Sequence, residues 1–255
     1  MPAPNRSTRD ALGGEQVEGR RAVLELLRAG RRPVRSIVMS SSARDDPALD
    51  EIRELAGGVL KMVSPERIDA LARSDVPQGV IATAAPLRPV DLDELLQAPA
   101  AFVVALDGVS DPRNLGAVAR AAETAGATGL ILPRHRSARI TPVVAKAAAG
   151  AIEHLPIALA GGIPAALDRA RRAGCWTIGL DAGADDRSLF DLELADQSLV
   201  LVLGSEGRGL ARLTSARCDV LVSIPMRGAI ASLNVAAAAA LACHEIARRR
   251  AAMRS

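Results

Sequence analysis

From residue 100 onward the chain carries apolar runs that are too continuous for strands with one wet face. They are "AFVVALDGV", "GLILP", "IALAGG", "WTIGLDA", "SLVLVLGSE" and "VLVSIPM", separated by helical stretches. A strand buried on one face alternates apolar with polar residues, whereas a strand covered on both faces does not. Such runs alternating with helices predict the α/β class, with a mostly parallel sheet flanked by helices. Open sheets of this kind collect ligands beyond the carboxyl ends of their strands, so the loops that follow strands are the places to look for a site.

The first third reads differently. Residues 1–14 are polar, contain Pro and Gly, and read as a disordered tail. Val17, Val23, Leu24, Leu26 and Leu27 form a helical stripe ended by Gly30. "SIVMS", "LKMVS" and "QGVIATAAP" read as strands, with "DPALDEIRELAGG" and "PERIDALARS" as helices between them. The expectation is a small N-terminal α/β domain over residues 15–86. "LRPVDLDELLQAPA", with prolines at both ends, is expected to be a linker at 87–99. That leaves 100–255 for the larger domain, including a helix over "ITPVVAKAAAGAIEHL".

Composition excludes some functions. No window approaches the roughly 18 uninterrupted apolar residues of a membrane span, and the N-terminus lacks the apolar core of a signal peptide, so a cytoplasmic protein is expected. Cys175, Cys218 and Cys243 form no CxxC pair, and His135, His154 and His244 are equally scattered, so no metal is expected. The net charge of +3 comes almost entirely from arginine, a residue suited to phosphate. Phe102, Trp176 and Phe190 are the only aromatics, which argues against base stacking. An RNA partner would be held through phosphates and polar contacts.

Three strand-ending loops stand out. In "DPRNLGAVARAAETAGA", Asp111 followed by Pro112 suits a helix N-cap and first turn. Arg120 then either pairs with Glu123 or Thr124, or serves a site. On one helix Asn114 and Arg120 are separated by about 120° and about 9 Å. Either Asn114 precedes the helix, or the two face different neighbours. "LGSEGRGL" places glycines at 204, 207 and 209, a spacing that fits neither a Rossmann nor a P-loop fingerprint, with Glu206 among them. In "IPMRGAIASLNVAAAAALA", Ser232 is a plausible N-cap and Asn234 falls in the first helical turn.

Taken together and in this order, the three loops resemble the motifs of the SpoU (TrmH-type) RNA ribose methyltransferases of the SPOUT superfamily. "GRRAVLELLRAG" and "QGVIATAAP" are similar to the RNA substrate-binding domain of the RlmB-type subgroup, which often has histidine where this chain has Pro77. The resemblance implies a C-terminal trefoil knot, S-adenosylmethionine as cofactor, and a homodimer whose interface lies beside the site. Gly204, Ile224 and Leu233 match cofactor-contacting positions, with Met226 nearby. Asn114, Arg120, Glu206, Ser232 and Asn234 match the polar positions of the reaction centre.

The implied reaction is methyl transfer to a ribose 2′-hydroxyl of a structured RNA. A 23S rRNA guanosine is favoured; a tRNA ribose or another rRNA site, including a resistance-type adenosine, is the alternative. A guanidinium keeps its proton at neutral pH, so Arg120 is expected to act as a charged clamp on phosphate and developing alkoxide rather than as a base. Two other readings compete: a nicotinamide-dependent oxidoreductase, and a non-catalytic RNA-binding member of the fold.

Overall fold

The computed structural model describes residues 11–43, 46–135, 139–184 and 187–253. The chain divides into two compact units. One comprises the residues up to Pro89 together with Arg139–His154; the other comprises Val90–Ala138 and the residues from Leu155 onward.

The first unit is built on a four-stranded sheet of β1 (Gln16–Glu18), β2 (Val34–Ser40), β3 (Leu60–Val63) and β4 (Val80–Ala84), in the order β1-β4-β2-β3. Only β2 and β3 run parallel. Helices α1 (Arg20–Ala29), α2 (Pro47–Leu55) and α3 (Pro65–Leu71) connect the strands. Gly30 ends α1 in the left-handed conformation, as expected. The start of α1 differs from expectation. Val17 belongs to β1, buried and paired with Ala82, and Gly19 at φ 97° breaks the chain between strand and helix. Of the expected tail, residues 1–10 lie outside the described residues. Residues 11–14 are anchored: Leu12 is buried, its N–H donates to Leu87 O (3.0 Å) and its carbonyl accepts from Ile140 N (3.1 Å).

Residues 139–154 were expected in the larger domain, with one helix over 140–155. They form a short helix, Pro142–Ala147, and then a 3-10 turn, Ala151–Glu153, with Ala149 (φ 49°) and Gly150 (φ 87°) breaking the helix between them. A buried ion pair holds this segment in the first unit. Arg32 Nη2 lies 2.5 Å and Nε 2.9 Å from the Glu153 carboxylate, while Nη1 donates to Gly14 O (2.7 Å) and Ala85 O (2.6 Å). Glu153 is 1% exposed, so its charge depends on this bidentate partner. Local periodicity carries no trace of a pair separated by 121 positions.

The second unit carries six parallel strands, β5 (Phe102–Asp107), β6 (Gly129–Pro133), β7 (Ile157–Ala160), β8 (Trp176–Leu180), β9 (Leu199–Gly204) and β10 (Val220–Val222), in the order β10-β8-β9-β5-β6-β7. Both faces are covered, as the continuous apolar runs predict. Val103, Ala105, Ile131, Val200 and Val202 pack with α4 (Leu92–Leu96) and α6 (Ile163–Arg172). The alternate residues Phe102, Val104, Leu130 and Leu201 are equally buried and point to the opposite face. Helices α5 (Pro112–Thr124) and α7 (Val235–Ala252) pack against each other. The expected linker is not one along most of its length. Leu92, Leu95 and Leu96 enter this core, and Val90 N donates to Ile157 O (2.9 Å). Among the described residues no helix is long and apolar enough to cross a membrane.

Candidate functional site: a cleft at the carboxyl edge of the parallel sheet

The central strands β9 and β5 pair in register so that Gly204 lies opposite Asp107, and both strands end at the same edge. The loop after β9 folds back over that edge. Ser205 and Gly209 exchange hydrogen bonds (Ser205 N to Gly209 O 3.0 Å, Gly209 N to Ser205 O 2.9 Å), and Gly207 and Gly209 adopt φ 76° and 65°. The returning backbone lies directly on Gly204. A Cβ there would meet Gly209 C at 2.1 Å and Leu210 N at 2.4 Å, so the position admits only glycine in this arrangement. Asp107 secures the loop from the neighbouring strand, its Oδ2 accepting from Ala211 N (2.9 Å).

Two helix starts bring polar side chains to this loop. Asp111 caps α5 through Arg113 N (2.8 Å), with Pro112 at the first helical position, which places Asn114 in the first turn. The cap of α7 is Asn234 itself, whose Oδ1 accepts from Ala236 N (2.9 Å). This corrects the expectation that Ser232 caps the helix and that Asn234 lies inside it. With Oδ1 held by the cap, Asn234 Nδ2 points at Asn114 Oδ1 (3.1 Å) and Glu206 Oε1 (3.4 Å), and Asn114 Nδ2 donates to Glu206 Oε2 (3.2 Å). Asn114, Glu206 and Asn234, 120 positions apart at the extremes, thus close a ring of hydrogen bonds. Each Glu206 oxygen accepts an amide N–H, so its carboxylate ties three segments together.

Beside the ring lies a cleft of about 250 Å³. Gly204, Ile224, Met226 and Leu233 all line it, as do Glu206 and Ser232. Val235 and Ala238 extend the apolar wall, while Ser205 and Arg208 add polar groups. Sequence reasoning missed one wall altogether, the loop after β8 with Leu180, Asp181 and Ala182. The signal was available, since "WTIGLDA" is another strand whose carboxyl end reaches the same edge.

Arg120 is not brought to the ring. Asn114 lies within α5, so of the two geometric alternatives the structure realises the second: the residues face different neighbours. Arg120 is exposed and makes no ion pair among the described residues, with Glu123 or any other acid. Its carbonyl accepts from Thr124 Oγ1 (2.9 Å), and Thr124 in turn meets His244 Nε2 of α7 (3.3 Å).

A larger cleft, about 690 Å³, lies in the first unit beside Arg20, Arg21 and Arg28. Two of these cations are already neutralised, Arg20 by Asp46 (2.6 Å) and Arg28 by Glu51 (2.6 Å) and Glu25 (2.8 Å). The smaller cleft, with converging strand ends, glycine-only backbone and an organised polar ring, is the better chemical site. Among the described residues no group of three or more His, Cys, Asp or Glu is placed to hold a metal.

Comparison with known proteins finds relatives over nearly the whole chain. The sequence model of the SpoU rRNA Methylase family matches residues 101–244, and that described as RNA 2′-O ribose methyltransferase substrate binding matches residues 16–90. An "Uncharacterized tRNA/rRNA methyltransferase" of Mycobacterium avium (strain 104) is 38% identical over 97% of this chain and 81% of that protein. The "Putative TrmH family tRNA/rRNA methyltransferase YacO" of Bacillus subtilis (strain 168) is 34% identical over 92% of this chain and 96% of its own length. The SpoU methyltransferase AviRb from Streptomyces viridochromogenes, solved in complex with the cofactor AdoMet, superposes with a TM-score of 0.79 at 28% identity, covering 97% of this chain and 94% of that one. The first family model and these full-length similarities place the chain in the SpoU rRNA methylase family.

Proposed function

We propose that this protein is an S-adenosylmethionine-dependent RNA methyltransferase that methylates a ribose 2′-hydroxyl, with a 23S rRNA guanosine as its target, and that it works in the cytoplasm as a homodimer. The observation that carries the reading is the Asn114–Glu206–Asn234 ring, whose Glu206 also lines the strand-end cleft. Family membership supports methyl transfer over nicotinamide chemistry.

The cleft fits the cofactor in chemistry. Ile224, Met226, Leu233 and Val235 offer an apolar wall for an adenine ring, and Gly204 lets the backbone approach closely. When bound, S-adenosylmethionine supplies a methyl group activated by its sulfonium. What remains for the protein is to align the acceptor and to ease loss of the hydroxyl proton. The ring is suited to positioning: Asn114 and Asn234 are held by Glu206, and Ser232 is exposed on the lining beside them. Arg120, exposed on α5, is assigned to the RNA phosphate, and as a permanent cation it stabilises the alkoxide while phosphate or solvent takes the proton.

The exposed faces of α5 and α7 support the dimer. On α7 Leu241 is 45% exposed, in the loop before it Ile230 is 72% exposed, and on α5 Arg120 is exposed. A second copy seated there would bring Arg120 beside a site. Mass by light scattering tests this, and a monomer at micromolar concentration contradicts it. The path of the chain supports a knot. After the edge strand β10, residues 223–234 recross the carboxyl ends of β8 and β9 before α7 packs on α5, which follows β5.

For the target, the separate first unit and its match to a substrate-binding model favour ribosomal RNA. Mapping ribose methylations by mass spectrometry in RNA from cells with and without the protein tests this. Loss of one 23S guanosine mark is expected. A lost tRNA mark or adenosine mark replaces the target, and no lost mark points to a non-catalytic RNA binder.

A further inference from the structure

Of the cleft's walls, the loop after β8 has no part in the reading above, yet it supplies a carboxylate. β8 is the parallel neighbour of β9, and Leu180 pairs with Leu203, so Asp181 stands level with Gly204. Its backbone is fixed, because Asp181 N donates to Val222 O (2.9 Å). Its side chain is half-committed. Oδ1 accepts from Gly183 N (2.8 Å), whereas Oδ2 accepts no hydrogen bond among the described residues. Oδ2 lies 4.0 Å from the point where a Cβ on Gly209 would stand, beside the glycine loop.

The other polar side chains of the cleft do different work. Glu206 is bound to both asparagines, Ser205 Oγ donates to Gly209 O (3.4 Å), and Arg208 can only donate. Asp181 therefore brings to the cleft a carboxylate oxygen without a partner among the described residues. An ionised carboxylate is purely an acceptor, and a ribose cis-diol presents two donors. The placement also has a general precedent. In nucleotide-binding α/β sheets an acidic side chain takes ribose hydroxyls beside a glycine-rich turn. This chain lacks that fingerprint in sequence but sets an acid and a glycine loop side by side in space, at the ends of adjacent parallel strands. Sheet order separates this acid from the ring. Asn114 follows β5 and Asp181 follows β8, and those two strands lie on opposite flanks of β9, about 10 Å apart across two strand spacings. A cofactor spanning that gap would place its reacting end at the ring and its ribose at Asp181.

We propose that Asp181 recognises the cis-diol of the cofactor's adenosine ribose and so makes the cleft favour a ribonucleoside over its deoxy forms. This rests on the S-adenosylmethionine reading of the same cleft. The test is calorimetry on the full chain, wild type and Asp181→Asn, with S-adenosylhomocysteine, with 5′-methylthioadenosine, which lacks the amino-acid end, and with 2′-deoxy and 3′-deoxy forms of the latter.

The substitution is expected to weaken S-adenosylhomocysteine and 5′-methylthioadenosine alike, by about tenfold to a hundredfold, as for loss of a charged hydrogen bond. The wild type is expected to lose affinity for at least one deoxy ligand to the same degree, a difference that the variant no longer shows. An effect on S-adenosylhomocysteine alone would put the carboxylate on the cofactor's ammonium and overturn the proposal, as would unchanged affinity for both. If the variant fails to fold, the wild-type comparison of deoxy ligands still decides, and equal affinities overturn the proposal. If wild-type protein binds none of these ligands, the cofactor reading itself is overturned.

Discussion

Replacing Gly204 by Ala adds one methyl group at the most crowded point of the cleft. That carbon would stand 2.1 Å from Gly209 C, 2.3 Å from Gly209 O and 2.4 Å from Leu210 N. All three are backbone atoms, so no side chain can rotate away, and the 205–209 turn has to lift by more than an ångström to restore ordinary contact. Overpacking of this kind costs about 1–3 kcal/mol. Lifting the turn also breaks its two reciprocal hydrogen bonds, at about 1 kcal/mol each. The sum is about 3–5 kcal/mol, or a fall in Tm of roughly 6–20 °C for a chain of this size. If the turn relaxes outward instead, stability recovers at the expense of the cleft wall, and S-adenosylmethionine binding falls. The assay is thermal unfolding together with calorimetry. Gly228→Ala is the internal control, because nothing lies within 4 Å of its added carbon and its φ is not left-handed, so a change within about 0.5 kcal/mol is expected. A Gly204→Ala variant with unchanged Tm and unchanged cofactor affinity would refute the packing argument.

Glu153→Gln leaves Arg32 buried without its counter-charge and should cost about 3–5 kcal/mol in urea unfolding. Asn234→Asp retains an oxygen to cap α7 but sets a second carboxylate against Glu206, so stability should hold within about 1 kcal/mol while methyl transfer falls; Asn234→Ala should lose about 1 kcal/mol as well as activity. Hydrogen bonds from Arg248, reinforced by Arg249, lower the Glu245 carboxyl to about 2. A depressed carboxylate stabilises the fold above its unfolded value near 4.5 and loses that contribution as pH falls towards 2. Acid unfolding of Glu245→Gln should therefore be less steep than wild type between those limits. Burial pushes the Cys218 and Cys243 thiols up to about 12 and raises Cys175 as well. A thiol reagent at pH 8 should label the native chain slowly at all three positions and the denatured chain rapidly.

Local chemistry wrote much of this fold plainly. The doubly buried strands, the Asp111–Pro112 cap and the left-handed Gly30 follow from residue type and immediate neighbours. Other features depend on partners far along the chain. Val17 looks helical by spacing and becomes a strand residue because Ala82 lies beside it. Residues 139–154 read as part of the second domain and join the first because Arg32 neutralises Glu153. Within the site, residues at 114, 206 and 234 were legible as three separate loops, but their closure into a ring depends on strand order. The Ser232 and Asn234 cap assignments reversed because both residue types cap well, and only the helix start decides between them. Asp181 was overlooked because a single acid after a strand carries no pattern until the neighbouring strand is known.

Ribose methylation at this site is tested most directly by incubating the purified protein with ribosomal RNA and S-adenosylmethionine carrying a labelled methyl group, then digesting the RNA to nucleosides. Label in 2′-O-methylguanosine is expected with the wild type, and a loss of that product with Asn234→Ala. Label in a methylated base, or a variant as active as the wild type, would contradict ribose methylation at this site.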